Sequence, residues 1–339
     1  MSHDIMENDR VLLHAEPAWH GLGLVVKDAP TCVESQKVVL NWTALEAPLF
    51  AGTDDGDELV VESHKLIYRS DTKDQLGIVS HGWTPIQPVQ MAEFCDCLAE
   101  QGDVVKVDTA GSIRNGKKIW FLLKGESFSV RGKDEVRSYI LASTGFDGGT
   151  AFRLTPTGIR VVCKNTISLV IPVAGADGKM SVGQPAAFVA HHTISVMERI
   201  EEAKTALQLY GRALEGTREL IDQLAAKDVK REDVQQFFLE CYTRDFGAFP
   251  SNPQNKIEQN SRERAMDACN AVFQRFDDER ELAGTTAWGM FNAYTGYLQN
   301  DRHLRGKDME RVAERKVESK LFGVDADRCH ATLATALAL

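Results

Sequence analysis

The chain has 339 residues, 43% hydrophobic and 26% charged, with a formal net charge of −10; that is enough apolar content for one large core or two ordinary ones, and it excludes a mainly disordered chain. No apolar run approaches the roughly 20 residues of a membrane-spanning helix, and Met1-Ser-His-Asp-Ile-Met-Glu-Asn-Asp9 lacks the basic and apolar regions of a signal peptide, so a cytoplasmic location is expected. Seven scattered cysteines (Cys32, Cys95, Cys97, Cys163, Cys241, Cys269 and Cys329) include no C-x-x-C pair, which points to reduced thiols rather than zinc or thioredoxin-type chemistry.

In chain order, Asn41 to Phe50 leads into the turn signal Asp54-Asp-Gly-Asp57, Leu59 to Tyr68 has strand composition, Ser70 to Asp74 turns, and Leu76 to Val79 extends. This predicts a first antiparallel meander. Met91, Phe94, Cys95 and Leu98 recur at helical spacing, so Gln87 to Glu100 is a short amphipathic helix ended by Gly102. On such a helix Cys95 and Cys97, two apart, do not face each other.

A second meander follows. Asn115-Gly116 between Ser112-Ile113 and Lys117 to Leu123 is a strong hairpin signal, because both turn residues need positive φ. Strands are expected over Val136 to Ser143, Thr150 to Leu154 and Ile159 to Cys163, broken at Asp147-Gly-Gly149 and at Pro156-Thr-Gly158. Pro172 to Ala187, rich in Gly, Pro and Ala, reads as a loop or linker.

Beyond it the period changes. Ser195-Val-Met-Glu198 has the form of a capping box. Ile200, Ala203, Leu207, Tyr210, Leu214, Thr217, Ile221 and Leu224 then alternate in steps of three and four, the narrow seam of a long helix that packs within the chain or against another subunit. Val234, Phe237, Phe238, Cys241 and Tyr242 mark another helix, and further helices are expected over Glu258 to Phe276, Thr286 to Leu298, Met309 to Leu321 and Ala326 to Leu337. Trp288, Phe291, Thr295 and Leu298 have the spacing of a core stripe. The switch of period predicts an α+β fold: an antiparallel β-meander-rich region over 1–171 with one short helix, a linker or loop over 172–187, and a helical region over 188–339 packing on or extending from the sheet.

Charge is distributed unevenly. Between Gln101 and Lys164 eleven cations face six anions, an excess of +5 that leaves about −15 for the remainder, and such asymmetry is a cue for an anionic partner. Lys118 and Trp120 share parity on one strand, as do Arg137 and Tyr139 on another, so each pair projects to a common face. Single-strand binders interleave cations with stacking aromatics in this way. The candidate nucleic-acid-binding residues are therefore Arg114, Lys117, Lys118, Trp120, Arg137, Tyr139, Arg153, Arg160 and Lys164.

Other constellations have plainer readings. Adjacent His191 and His192 point apart and lack a carboxylate at ligand spacing, so solvated or capping histidines are expected rather than a metal site. Cys163, in a Val-Val-Cys run, reads as a buried strand thiol before it reads as a nucleophile served by His64 or His81. Asp147-Gly-Gly149 is a hairpin turn before it is an anion nest, and no phosphate-loop or dinucleotide fingerprint occurs. No catalytic residue, metal or cofactor is expected.

Pro17-Ala-Trp-His-Gly-Leu-Gly23, Thr109-Ala-Gly-Ser112, Asn115-Gly116 with Trp120, Asp147-Gly148, Arg160-Val-Val-Cys-Lys-Asn-Thr166 and Gly284-Thr-Thr-Ala-Trp-Gly-Met-Phe-Asn-Ala293 together resemble the phage/plasmid-like protein family, domain-of-unknown-function family 932, over nearly the whole chain. Gly149 departs from the serine or other hydroxyl residue expected after Asp-Gly, which puts a side-chain role at that turn in doubt. The resemblance implies a protein carried by phages, prophages and plasmids, hence in the host cytoplasm, and supplies no activity. Mobile elements commonly carry ring- or filament-forming single-strand annealing proteins. Joined to the basic meander, this gives the leading expectation: an oligomeric single-stranded DNA binding or annealing protein in recombination or replication. A protein-interaction module that inhibits or redirects a host system, and an enzyme with an unrecognised site, are the alternatives.

Overall fold

The computed structural model describes residues 10–14, 24–28, 30–100, 106–160, 166–168, 173–174, 180–181, 188–193, 195–196, 198, 204–302, 312, 315, 319 and 323–338. It is an α+β fold with an antiparallel-sheet N-terminal half and a helical C-terminal half. The strands are β1 (Val11–His14), β2 (Leu24–Val26), β3 (Ala44–Gly52), β4 (Glu58–Arg69), β5 (Gln75–Ser80), β6 (Lys106–Ile113), β7 (Lys118–Val130), β8 (Asp134–Gly145), β9 (Phe152–Arg160), β10 (Thr166–Ser168), β11 (Val173–Ala174), β12 (Met180–Ser181) and β13 (Phe188–Ala190). The helices are α1 (Cys32–Val39), α2 (Pro88–Glu100), α3 (Lys204–Ala226), α4 (Arg231–Phe246), α5 (Lys256–Asp278), the one-turn α6 (Arg280–Ala283), α7 (Ala287–Gly296), which runs into a π-turn over Tyr297–Asp301, and α8 (Val324–Ala338). Among the described residues, no helix is long and apolar enough to cross a membrane.

Strands β3, β4 and β5 form the expected first meander. The second meander is the centre of an eight-stranded sheet ordered β10-β9-β8-β7-β6-β1-β2, with β13 also on β9. Its first hairpin closes as expected on Asn115 (φ 57°) and Gly116 (φ 91°), and Arg114 (φ 57°) joins them. Gly116 is required twice over: its φ is left-handed, and a Cβ there would come within 3.0 Å of the Trp42 ring and 3.2 Å of Arg69.

The expected break at Pro156-Thr-Gly158 does not occur. Strand β9 runs through it, with Pro156 opposite Ile140. On its other side β13 pairs Phe152 to Leu154 and β10 pairs Thr157 to Ile159, so Pro156 falls in the gap between two short partners, where none of the described residues asks for the N–H that proline lacks. Two further differences concern boundaries. The β-rich part holds two helices rather than one: α1 is capped by Thr31, whose hydroxyl accepts from Glu34 N while Glu34 accepts from Thr31 N. The segment expected as a linker contains the small β11–β12 pair, and Phe188–Ala190 returns to the main sheet as β13.

Two hydrophobic clusters form the interior. One lies between the main sheet, the small sheet, α1 and α2, with Phe121, Leu123, Phe146 and Phe152 at its centre. The other joins α3 to α8 and includes Phe128, Val130 and Val136 from the far end of the β7–β8 hairpin. Buried Asp134 in that hairpin accepts from Trp288 Nε1 at 2.8 Å, which fixes α7 to the sheet. Trp288, Phe291, Thr295 and Leu298 are buried as the stripe predicts. The α3 seam is consumed within the chain: Tyr210 belongs to the first cluster, Ile221 and Leu224 to the second, and Thr217 is fully buried. Among the described side chains, from Tyr210 to Leu224, it therefore leaves no coiled-coil face, and the expected homo-oligomer loses that part of its motive. Ile200 and Ala203 lie outside the described residues, as does the Leu207 side chain.

Candidate nucleic-acid interface

Residues paired across a sheet point to the same face, so register decides which cations and aromatics meet. Gly111, Trp120, Ser143 and Arg153 form one row across β6, β7, β8 and β9. Lys118 and Lys124 have the parity of Trp120, and Arg137 and Tyr139 have that of Ser143. All these side chains thus share one face, framed by Lys118, Lys124, Arg137 and Arg153.

Within that frame the groups differ in access. Arg153 is exposed, and Lys118, Lys124, Arg137 and Trp120 are half-buried. Trp120 donates from Nε1 to Thr109 Oγ1 at 3.2 Å and lies over Gly111, where a Cβ would meet two indole carbons at 3.0 Å. The ring is held in place before any ligand arrives. Tyr139 is only 4% exposed, and Leu141 beside it is equally buried, so the expectation that Tyr139 offers a stacking face is corrected. Arg137 is paired with Glu135 at 3.2 Å; the two residues are two apart on one strand and share its face.

Arg114 and Lys117 belong to the β6–β7 turn and not to the sheet face. Both are half-buried; Arg69 donates to Asn115 O at 3.2 Å and ties this turn to the end of β4. For Arg160 only the backbone is described, opposite Val136 on β8. Lys164 lies outside the described residues, as do Cys163 and the Pro17 to Gly23 segment. Lys124 was absent from the candidate set although its parity with Lys118 and Trp120 is readable in the sequence.

The Asp147 turn is occupied by its own carboxylate. Oδ1 accepts from Gly149 N at 3.0 Å and Thr150 N at 2.8 Å, and Oδ2 from the Thr150 hydroxyl at 2.9 Å. Burial pushes the Asp147 pKa up, but these hydrogen bonds and the nearby Lys118 charge outweigh it and hold the carboxyl below its ordinary range. The amides that would cradle an external anion are therefore taken.

His191 is exposed, whereas His192 is buried, against the expectation of a solvated or capping residue. It stacks on Trp83 with ring centroids 4.4 Å apart. Its Nδ1 is 2.9 Å from Thr84 O and its Nε2 3.0 Å from Thr144 Oγ1. A carbonyl only accepts, so Nδ1 carries the proton and Nε2 accepts from the hydroxyl: a neutral, structural imidazole. Cys95 is buried and Cys97 exposed. Hydrogen bonding to Cys95 and burial push the Cys32 thiol far up, which makes it inert. Among the described residues, no three His, Cys, Asp or Glu side chains are grouped to hold a metal ion.

Compared with known proteins, the chain matches the family model described as Domain of unknown function (DUF932) over residues 75–319. No curated protein and no solved structure matches it.

Proposed function

The chain belongs to the DUF932 family, and from that premise and the basic face we propose that it is a DNA-metabolism protein of a phage, prophage or plasmid, binding and annealing single-stranded DNA as an oligomer in the host cytoplasm. The observation that carries this reading is the row that brings Arg153 into line with Trp120, flanked on β7 by Lys118 and Lys124. Tyr139, Leu141 and Ser143 on β8 are buried, so a strand would follow the accessible β7 side. There Lys118 and Lys124 offer cations for its phosphates and Trp120 one pre-positioned indole for a base, with exposed Arg153 beyond. Such a stacking contact contributes about 1–3 kcal/mol, and each neutralised phosphate adds about 0.7 to the salt slope of a single strand.

The test is a mobility shift with a labelled oligonucleotide at low salt, comparing the parent with Lys124→Glu/Arg153→Glu. Neither substitution opens a cavity. The double variant, shown folded by circular dichroism, should bind at least about tenfold more weakly, with a salt slope lower by about 1.4 for two lost phosphate contacts. No binding by the parent, or equal binding by both, refutes the reading. A second reading, a protein-interaction module, is favoured by one observation: the outer end of the β3–β4 pair, beyond the reach of β5, exposes apolar side chains.

A further inference from the structure

The outer end of β3 and β4 is a two-stranded ribbon. Strand β5 pairs with His64 to Tyr68, whereas β4 extends back to Glu58, held there among the described residues by β3 alone through Phe50 with Val60, Ala51 with Leu59 and Gly52 with Glu58. Phe50 and Val60 share one face, 52% and 59% exposed, and Leu59, 59% exposed, is on the other. Apolar side chains on both faces of a two-stranded ribbon are unfavourable in water, and an isolated ribbon is itself marginal. Cover by another molecule would remove both costs.

Charge identifies the cover. Residues 51–64 carry Asp54, Asp55, Asp57, Glu58 and Glu62 with no Lys or Arg, and all five carboxylates are exposed. Two such arms repel, which disfavours a two-fold contact between them. The opposite end of β4 is Arg69, bonded to the β6–β7 turn that carries Arg114 and Lys117, with Lys118 just beyond it. From Glu58 to Arg69 is eleven steps of extended chain, about 36 Å. The acidic tip therefore lies at the far end of β4 from its own basic turn, while a second copy can bring the two together.

We propose that the β3–β4 arm is an assembly element that docks on the basic β6–β7 turn of a second copy. The contact is heterologous, so repetition gives a ring where the rotation closes and a filament where it does not. The inference does not rest on DNA binding, and it is tested without nucleic acid.

Sedimentation velocity of the full chain at about 0.05 M and about 0.5 M salt reads the assembly, because screening shortens the reach of charge from about 14 Å to about 4 Å over that range. The parent should sediment as multimers at low salt and shift toward monomer at high salt. Asp54→Lys/Asp55→Lys/Asp57→Lys and, separately, Arg114→Glu/Lys117→Glu should each be monomeric alone, since arm and turn then carry the same sign. Mixed in equal amounts, they should recover the parental species through two complementary contacts. Leu59→Thr/Val60→Thr, which retains strand propensity, should lose assembly at both salts. A monomeric parent at low salt, arm variants that assemble like the parent, or a mixture of two folded reversals that stays monomeric would overturn the proposal; assembly indifferent to the arm would assign another surface.

Discussion

Gly125→Ala tests how the first half of α3 is anchored to the sheet. Gly125 lies in the β7 bulge, where the register against β8 shifts between Lys124 and Ser127. A Cβ there would stand 1.8 Å from the Tyr210 hydroxyl oxygen and 3.0 Å from Ser138 Oγ. Those two oxygens are 2.6 Å apart. Ser138 donates to Glu126 O, so Tyr210 donates to Ser138 and anchors the first half of α3. The added methyl must push Tyr210 out: overpacking costs about 1–3 kcal/mol, and the broken hydrogen bond about 1 more. Tyr210→Phe alone should cost only about 0.5–1.5 kcal/mol, because Ser138 keeps its bond to Glu126. In the double variant the new Cβ meets a ring carbon at 2.9 Å instead, a conflict that a shift of a few tenths relieves. The pair should therefore be less destabilised than the sum of the singles by about 1–2 kcal/mol. Urea denaturation followed by circular dichroism and by tryptophan fluorescence measures all four corners of the cycle. Strictly additive effects would show that Gly125 and Tyr210 do not meet, and the reasoning would fail.

Two more predictions concern the anchors of the sheet. Asp134→Ala leaves the buried Trp288 N–H without this acceptor, so it should lower stability by about 1–3 kcal/mol in a thermal melt, with Asp134→Asn recovering most of the loss; equal melts for Ala and Asn would remove the hydrogen bond from the account. Burial lowers the His192 pKa from 6.5, against the upward pull of the Thr84 carbonyl and the Asp147 charge. A depressed histidine contributes stability that is complete above its unfolded value near 6.5 and is lost as pH falls from there through the folded value. The parent's melting temperature should fall through that window more steeply than that of His192→Gln, and parallel curves would sink the assignment.

Local signals were readable wherever chemistry forces a conformation. Asn115-Gly116 specifies a turn because left-handed φ excludes most residues; the capping box of Thr31 and Glu34 opens α1, a helix the sequence reading did not expect, and much of the segment from Ser195 to Ala203 lies outside the described residues. What pairs with what was not readable. Pro156 is a strand breaker by its own chemistry and harmless only because β13 ends before it and β10 begins after it. Val11–His14 is too short to announce a strand until it meets Gly111 of β6. The α3 seam is the sharpest instance: a three-and-four pattern reports that a face is covered, and only the packed structure tells that the cover is its own sheet and its own helices.

The site obeys the same division. Parity correctly put Lys118 with Trp120 and Arg137 with Tyr139, but access depends on neighbours, and Tyr139 is closed while Trp120 is half-open. The net charge of −10 looks adverse to a polyanion until its placement is considered. Screening reaches about 8 Å at physiological ionic strength, far less than the roughly 36 Å of extended β4 between the acidic tip and the basic turn. At that salt the tip carboxylates from Asp54 to Glu58 are screened from the cations at the far end of β4, and those cations act on an anion through their own charge. Only near 0.01 M, where the screening length grows to about 30 Å, does the arm begin to repel the same ligand. Binding to the face should therefore strengthen less at very low salt than counterion release alone demands, and truncating the tip carboxylates to amides should restore the full slope.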